Sequence, residues 1–307
     1  MTKLPQFHRT SFIIRHPSFV IQITSTLAKF LPLVLFPVHK NSHNRNPLPM
    51  KIHRPLFTAL ALAFPLLGFA LADTGVGAKP LAGAEVILDG SRAMLDEKWI
   101  YWEGPGFKSA MPIQWRIVDD PVDKGTTVMT DDRAADGGKF GAADIVTKKA
   151  YRDFRLHIEF LIMKPGGNSG VYLQNRYEIQ VFDGDKTKHG MGAVINQTDS
   201  PYHAYSGIGK WNAYDITFRA ARFNDGKLIE KPLVSMFFNG IKVHTNVAIN
   251  QVWGGPKSGL DGGNDGGKGI TDTPGGLKLQ CEGHDVRYRN AWIKELDLKT
   301  ADTGFSE

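Results

Sequence analysis

Apolar and polar side chains alternate strictly over residues 153–160, DFRLHIEF. Successive residues of a β-strand point to opposite faces, so the apolar set would fill a core while the polar set faces outward. We therefore expect His157 at the surface of a sheet. Similar patterns occur in residues 214–223, 232–244, 276–280 and 285–296. No helical periodicity extends over a dozen residues, and the sequence predicts an almost entirely β protein.

Short turns separate the predicted strands. Asn239-Gly240 is a residue pair that type I′ hairpins favour, and residues 282–284 are predicted to form another tight turn. Several short strands at spacings of about 8–12 residues indicate a sandwich of two antiparallel sheets. The glycine-rich residues 254–276 are instead predicted to form a loop over one end or face of the sandwich.

The first 80 residues are predicted to lie outside the sandwich. Residues 50–72 have a basic start, a short apolar core and an Ala-Leu-Ala cleavage signal, which together are typical of a secretory signal peptide. Because such a signal begins at the initiator, residues 1–49 are interpreted as an upstream over-extension of the reading frame. Residues 73–80 are predicted to be a linker and residues 81–300 the folded domain. We expect a periplasmic or secreted protein with no membrane span after signal removal.

The distribution of charge argues against a nucleic-acid partner. The chain has 37 Lys and Arg residues against 31 Asp and Glu residues, for a formal net charge of +6. Eight of the basic residues and no acidic residue lie in residues 1–72, so the remainder carries 29 basic and 31 acidic residues. The predicted domain is slightly acidic and lacks the positive field that nucleic-acid binding needs.

Several motifs, taken in order, resemble the 3-keto-disaccharide hydrolase family, long catalogued as a domain of unknown function. They run from about Asp96 to Leu298 and comprise NSGVYLQNRYEIQVFD, GAVINQ, KWNAYDITF, NGIKVH and LKLQCEGHDVRYRNAWIKEL. The resemblance implies a concanavalin A-like jelly-roll β-sandwich, export, and action on glycosides oxidised at C3. The glycine-rich insertion and the pair Cys281-Glu282 depart from the family pattern, and they bear on substrate range more than on fold.

A row of polar residues in the run RYEIQVFD is the candidate site. Arg176, Glu178 and Gln180 share one face of the predicted strand, while the apolar residues between them fill the core. A sugar needs carboxylate, amide and guanidinium groups for its hydroxyls, and a jelly roll binds sugars on its concave sheet. We therefore predict Glu178 and Gln180 on the concave face, within reach of Gln280 and Arg289.

The resemblance suggests a mechanism for these residues. A ketone at C3 acidifies the hydrogen on C2, so a base can remove it, and the C1 substituent then leaves; water can add to the product. Glu178 or a loop histidine is the candidate base, Arg289 or Arg176 the enolate stabiliser, and Asp183 an acid or a supporting group. The candidate substrate-binding residues are Asn168, Arg176, Gln180, His189, Trp211, Gln280 and His284.

One alternative is an ordinary glycoside hydrolase. Sandwich glucanases carry an E-x-D-x-x-E strand, and EIQVFD has its spacing, with Gln180 and Asp183 in place of the second and third acids. The offset of five puts Glu178 and Asp183 on opposite faces, about 16 Å apart along a strand. A glycosidase needs its carboxyl groups about 5–9.5 Å apart, and the elimination mechanism is therefore preferred.

A sugar-binding module without catalysis is the other alternative, because a β-sandwich supports both. In every case the predicted partner is a small glycoside. No cofactor is predicted. Asp261, Asn264 and Asp265 do not have the spacing of an EF-hand calcium loop, so no metal ligand is assigned and a divalent metal is left open.

Overall fold

The computed structural model describes residues 11–16, 19–24, 74–102, 113–130, 144–252 and 269–302. The chain divides into two compact units, Met1–Pro65 and Leu66–Glu307. In the first unit, the described residues are strands β1 (Ser11–His16) and β2 (Phe19–Thr24), which pair antiparallel. The predicted signal peptide, residues 50–72, and most of the glycine-rich loop lie outside the described residues.

The described part of the second unit is built almost entirely of β-strands. Its elements are β3 (Glu85–Leu88), α1 (Arg92–Lys98), β4 (Trp99–Tyr101), β5 (Arg116–Asp119), β6 (Thr126–Met129), β7 (Ile145–Thr147), β8 (Asp153–Ile162), β9 (Asn168–Leu173), β10 (Tyr177–Phe182), a 3-10 turn (Tyr202–Ala204), β11 (Asn212–Arg219), β12 (Arg222–Asn224), β13 (Lys227–Glu230), β14 (Leu233–Phe238), β15 (Ile241–Ala248), β16 (Lys278–Leu279) and β17 (Val286–Leu296). In the described ranges, no helix is long and apolar enough to cross a membrane.

Two antiparallel sheets form the sandwich, and this confirms the predicted fold class. The five-stranded sheet has the order β10-β9-β16-β7-β4. The eight-stranded sheet has the order β15-β14-β11-β8-β17-β6-β5, with β3 paired to β17. The strands β12 and β13 form a separate hairpin.

The two sheets pack through the apolar faces that the alternation predicts. Ile158 and Phe160 of β8 belong to the same buried cluster as Ile179 and Val181 of β10. Tyr177 of the five-stranded sheet lies against Phe218 of the eight-stranded sheet, with ring centroids 5.6 Å apart. Each fully buried side chain of this size stabilises the fold by about 1.5–3 kcal/mol, so the core holds the sheets together.

Backbone geometry at the hairpin turns follows the sequence. Asn239 and Gly240, between β14 and β15, both have positive φ, as the predicted type I′ turn requires. Gln174 and Asn175, between β9 and β10, also have positive φ, at 50° and 55°. The second turn sets the register of the candidate strand, pairing Glu178 with Tyr172.

The segment predicted to be a linker is held on the outer face of the eight-stranded sheet. The amide of Gly75 donates to Asp215 Oδ2 at 2.7 Å, and that of Gly77 donates to Glu159 Oε1 at 2.7 Å. Asn290 donates to the carbonyl of Ala78 at 3.0 Å. Residues 74–78 are therefore a packed part of the domain.

The surface position predicted for His157 is wrong, because its side chain is completely buried. Its Nδ1 lies 2.5 Å from Asp215 Oδ1, and its ring stacks on Trp292 with centroids 5.3 Å apart. Residues 74–78 bond to Asp215 and Glu159 beside it. Alternation identified the outer face correctly, but it carried no information on what covers that face.

Candidate active site

Three side chains on adjacent strands form a row across the outer face of the five-stranded sheet. Glu178 of β10 pairs with Tyr172 of β9, and Tyr172 pairs with Lys278 of β16. The neighbouring residues in each strand, Ile179 and Leu279 among them, point into the core. Period-two geometry therefore places Glu178, Tyr172 and Lys278 side by side on the opposite face.

A second row runs beside the first. Gln180 pairs with Gly170, and the amide of Gln280 donates to the carbonyl of Gly170 at 3.0 Å. A Cβ atom at position 170 would overlap Glu178 Oε1 and lie 2.8 Å from Tyr172 Cε2. Glycine at this position thus leaves the space that the Glu178 carboxyl occupies.

Tyr172 links the two rows through its hydroxyl. Gln280 Nε2 donates to Tyr172 Oη at 3.1 Å, and the Tyr172 hydroxyl hydrogen-bonds the Glu178 carboxyl. The carbonyl of Gln280 accepts from Ser169 Oγ at 2.7 Å, which fixes the residue to β9. The carboxyl, the phenol and the amide therefore form one connected chain. Gln280 and Glu178 are thus linked through Tyr172 on one face of the sheet.

Lys278 is a buried cation in the same cluster, with 1% of its surface exposed. Its Nζ lies 3.2 Å from Asp144 Oδ2. The same atom lies 3.7 Å from the ring centroid of Tyr172 and 4.5 Å from that of Trp102. The other Asp144 oxygen accepts from the amide of Cys281 at 2.8 Å, which fixes the carboxylate.

The electrostatic environment makes Glu178 an unusual carboxyl group. Burial raises its pKa to about 8, although the hydrogen bond from Tyr172 and the charge of Lys278 oppose that rise. The nearby carboxylates of Glu282 and Asp144 raise it further. Burial also raises the pKa of Asp144, and it raises that of Tyr172 well above its ordinary value. Glu178 can therefore give or take a proton near neutral pH.

Two other predicted residues lie on the same face. Gln180 is mostly buried, and its Oε1 accepts from the amide of Val181 at 3.0 Å. Asn168 pairs with Phe182 at the end of β9, and its buried Oδ1 has no hydrogen-bond partner among the described residues. Such an unsatisfied acceptor is costly unless a ligand or water bonds to it.

The predicted position of Arg289 is wrong, because it lies on the outer face of the other sheet. Its Nε lies 2.7 Å from Glu159 Oε2, and its guanidinium also pairs with Asp120 and Asp123. The preceding residue, Tyr288, fills the core, which turns Arg289 away from it. Arg289 and Glu178 thus point outward from opposite sides of the sandwich.

Trp211 accompanies Arg289 on that side. Its ring lies 4.1 Å from the Arg289 guanidinium carbon, and its Nε1 donates to Asp120 Oδ1 at 3.1 Å. The side chain is 5% exposed. It packs in the ion network and does not share a face with Glu178.

The remaining predicted residues occupy turns and loops. Asp183 follows β10 and accepts from the Tyr202 hydroxyl at 3.2 Å and the Gly166 amide at 3.3 Å. Arg176 lies in the turn before β10, where its Nε donates to the carbonyl of Gly269 at 3.1 Å. His189 is exposed in the loop after β10, and the turn residue His284 has a buried Nδ1 without a partner among the described residues. None of these contacts reaches Glu178.

Sequence reasoning missed Tyr172, Lys278, Asp144 and Trp102. A signal existed for two of them: Lys278 stands two residues before Gln280, and Tyr172 alternates with Val171 and Leu173, so parity places both on the outer face. No such signal exists for Asp144 and Trp102. They lie next to β7 and β4, and these strands are brought to the site only because β16 pairs with β7 and β7 pairs with β4. In the described ranges, no group of three or more His, Cys, Asp or Glu residues is arranged to hold a metal ion.

The comparisons with known proteins identify the chain as a carbohydrate-active enzyme built on a β-sandwich. A family model for the 3-keto-alpha-glucoside-1,2-lyase-like domain matches residues 83–294. The chain belongs to this family, which confirms the resemblance seen in its motifs. No curated protein matches the chain.

Two solved structures from Parabacteroides distasonis ATCC 8503, each described as a "putative glycosyl hydrolase", are similar to this chain. The structure at 2.13 Å resolution is 25% identical with a TM-score of 0.54, covering 70% of this chain and 84% of that one. The structure at 1.70 Å resolution is 18% identical with a TM-score of 0.43, covering 66% of this chain and 93% of that one. The first similarity supports the assignment of the sandwich fold.

Proposed function

We propose that the protein cleaves 3-keto-glycosides by removing the proton on C2 and eliminating the substituent on C1. The observation that carries the proposal is the Glu178 carboxyl, which is buried on the sheet face, hydrogen-bonded to Tyr172, and has a pKa of about 8. A base with that pKa suits a carbon acid activated by a neighbouring ketone. Membership of a 3-keto-glucoside-lyase-like family supports the same substrate class.

In this mechanism the ionised Glu178 takes the C2 proton. Tyr172 holds the carboxylate through its hydroxyl, and Gln280 holds Tyr172. Gln180, Gln280 and Asn168 supply amide groups along the same face, where they are placed to bond the sugar hydroxyls. Water added to the alkene after elimination would make the net reaction a hydrolysis.

The arrangement favours elimination over ordinary glycoside hydrolysis. The carboxyl pair suggested by the glucanase spacing is Glu178 and Asp183, but Asp183 is bonded to Tyr202 and Gly166 in the turn beyond β10. An elimination needs one base and a stabilised oxyanion, and it does not require that pair.

The test compares two substrates that differ only at C3. The purified protein is incubated with a 3-keto-glucoside and with its unoxidised parent, and products are followed by NMR and mass spectrometry. We expect loss of the oxidised substrate alone, with an alkene ketone or 3-keto-glucose as product. Cleavage of the parent would favour an ordinary glycosidase, and binding without turnover would favour a sugar-binding module.

We also propose that the protein is exported through the signal peptide predicted at residues 50–72. N-terminal sequencing of the protein recovered outside the cytoplasm should begin at Asp73. Recovery of a mature chain that retains residues before Met50 would contradict both the cleavage site and the predicted start.

A further inference from the structure

Lys278 is a charged group that the mechanism above does not use. It stands in β16 between Leu277 and Leu279, which are both buried in the core, so its side chain must leave by the outer face. There it lies beside Tyr172, the residue that holds Glu178. An almost fully buried ammonium group is costly, and its position beside a titratable carboxyl requires an explanation.

Lys278 Nζ lies among groups that attract a cation. Aromatic rings of Tyr172 and Trp102 lie within 3.7 Å and 4.5 Å of Nζ, and both attract a cation through their faces. Asp144 supplies the counter-charge at 3.2 Å. These contacts hold an ammonium ion in a fixed position, whereas a neutral amine would gain little from them.

Glu178 and Lys278 are separated by a single strand. Neighbouring strands are about 4.8 Å apart, so the two backbones are roughly 10 Å apart with both side chains on the same face. The charge of Lys278 acts directly on the Glu178 carboxyl. A base and a cation thus flank Tyr172, which suits a substrate whose acidic carbon and developing oxyanion are adjacent.

We propose that Lys278 is a catalytic residue whose ammonium group stabilises the enolate oxygen at C3 of the substrate. The proposal rests on the proposed function. Glu178 takes the proton from C2, the electron pair of that C–H bond forms the C2=C3 bond, and the carbonyl oxygen becomes the anion that Lys278 faces. The oxygen then reforms its carbonyl, the C1=C2 bond forms, and the C1–O bond breaks. The departing oxygen takes a proton from water, Glu178 releases its proton to solvent, and Lys278 keeps its own throughout.

The main test replaces Lys278 with methionine, which keeps a similar shape without the charge. We expect kcat on a 3-keto-glucoside to fall by about 10²–10³-fold with a much smaller change in KM, since an enolate exists only after proton removal. Lys149→Met is the matched control, because Lys149 also lies over a tyrosine ring, 5.2 Å from that of Tyr151, but is half exposed and pairs with Glu85 and Glu295 beyond the end of β7. It should retain wild-type kcat.

The double variant Lys278→Met/Asp144→Asn separates catalysis from structure. It removes both charges of the buried ion pair, so neither of these two groups is left charged without the other. If Lys278 acts on the enolate, kcat of the double variant should be as low as that of Lys278→Met, although the melting temperature recovers. Recovery of kcat together with stability would overturn the proposal and make the pair structural.

A second readout isolates enolate formation. A 3-keto-1,5-anhydroglucitol lacks the exocyclic oxygen substituent at C1 that the proposed step expels, so exchange of its C2 hydrogen in deuterated water reports proton removal without glycoside cleavage. We expect exchange with wild-type protein and its loss in Lys278→Met. Retained exchange in the variant would overturn the role of Lys278 even if 3-keto-glucosides are cleaved. Absence of both exchange and cleavage in the wild type would overturn the proposed function as well.

Borohydride trapping distinguishes the charged role from covalent catalysis. A neutral lysine amine would condense with the C3 ketone, and reduction would leave a permanent adduct visible by mass spectrometry. We expect wild-type protein to turn over the ketone without such an adduct. An adduct on Lys278 would overturn the electrostatic role proposed here.

Discussion

Two buried glutamates on the outer faces of the two sheets differ in almost every electrostatic respect. Glu178 is 3% exposed and Glu159 is 1% exposed. Burial raises the pKa of Glu178 to about 8. Burial would also raise the pKa of Glu159, but the bonds from His157, Asn290, Gly77 and Arg289 hold it at about 2. The number and charge of the hydrogen-bond donors, rather than burial, decides which carboxyl titrates near neutral pH.

The comparison separates a structural network from a reactive site. On the eight-stranded sheet, burial would lower the pKa of His157, but Asp215 and Glu159 raise it to about 9. That face therefore holds fixed, mutually compensated ions at neutral pH. On the five-stranded sheet, Glu178 has the Tyr172 hydroxyl and a nearby lysine charge, which leaves its proton exchangeable.

Glu178→Gln should produce the largest effect. Glutamine keeps the shape and hydrogen bonding of the side chain but removes the base, so turnover of a 3-keto-glucoside should fall by roughly 10²–10⁴-fold with binding largely retained. Single-turnover kinetics and calorimetric binding measure the two effects separately. Weaker binding with a nearly unchanged rate would mean that Glu178 anchors a hydroxyl instead.

Glu159→Gln should have the opposite result to Glu178→Gln, because it should lower stability and leave turnover unchanged. The change leaves Arg289 and His157 without a charged partner in a buried network, and the free energy of unfolding should fall by about 3–5 kcal/mol. At a temperature where the variant is folded, its kcat should equal that of the wild type. Denaturant unfolding provides the measurement, and a loss of kcat in fully folded protein would contradict the division between the two faces.

The pH dependence of catalysis should follow the Glu178 carboxyl. Since the ionised form is the base and the pKa is about 8, kcat/KM should rise by about tenfold per pH unit below 8 and level off above it. The range from pH 6 to 9 covers the transition. A rate that is constant over this range would exclude Glu178 as the titrating base.

The pH dependence of stability should have opposite signs at the two glutamates. The folded pKa of Glu178 lies above its ordinary 4.5, so its contribution is fully present below pH 4.5 and is lost as the pH rises through 8. The free energy of unfolding of Glu178→Gln should therefore rise by about 1–4 kcal/mol relative to wild type between pH 5 and 9. The folded pKa of Glu159 is lowered, so its contribution is present above pH 4.5 and disappears as the pH falls through 2. Thermal melts of wild type and both variants at several pH values measure these two pH dependences. If the melting temperatures of the two variants changed with pH in the same way, the opposite signs would be refuted.

Gly170→Ala should give the smallest effect. The added methyl group would overlap Glu178 Oε1 and press on Tyr172, so the carboxyl must shift and kcat should fall by roughly tenfold. When Glu178→Asp is added to the Gly170→Ala variant, the acidic side chain is shorter and the overlap is relieved. The double variant should therefore recover part of the stability that Gly170→Ala loses. Equal kcat in wild type and Gly170→Ala would show that the carboxyl position tolerates a displacement of this size.

The sequence alone determined the fold class, the family and the faces of individual strands. Period-two alternation placed Tyr177 and Ile179 in the core and Glu178 on the outer face, because a slip of one residue would bury the charges and expose the core. The Asn239-Gly240 turn followed equally directly from local backbone preference. These features depend on interactions within a few residues.

Tertiary structure decided the composition of each face. Alternation says which way a side chain points but not to which sheet its strand belongs, and it therefore put Arg289 beside Glu178 incorrectly. Lys278 and Asp144 come close to Glu178 only through the pairing of β10, β9, β16 and β7, and two of these strands, Ile145–Thr147 and Lys278–Leu279, lie 131 residues apart in the chain. The pKa of a buried carboxyl depends on such distant partners, because donors and charges within a few ångströms set it regardless of sequence separation. The reactive glutamate was therefore visible in the sequence, whereas its pKa and its neighbouring cation were determined by the packed sheet.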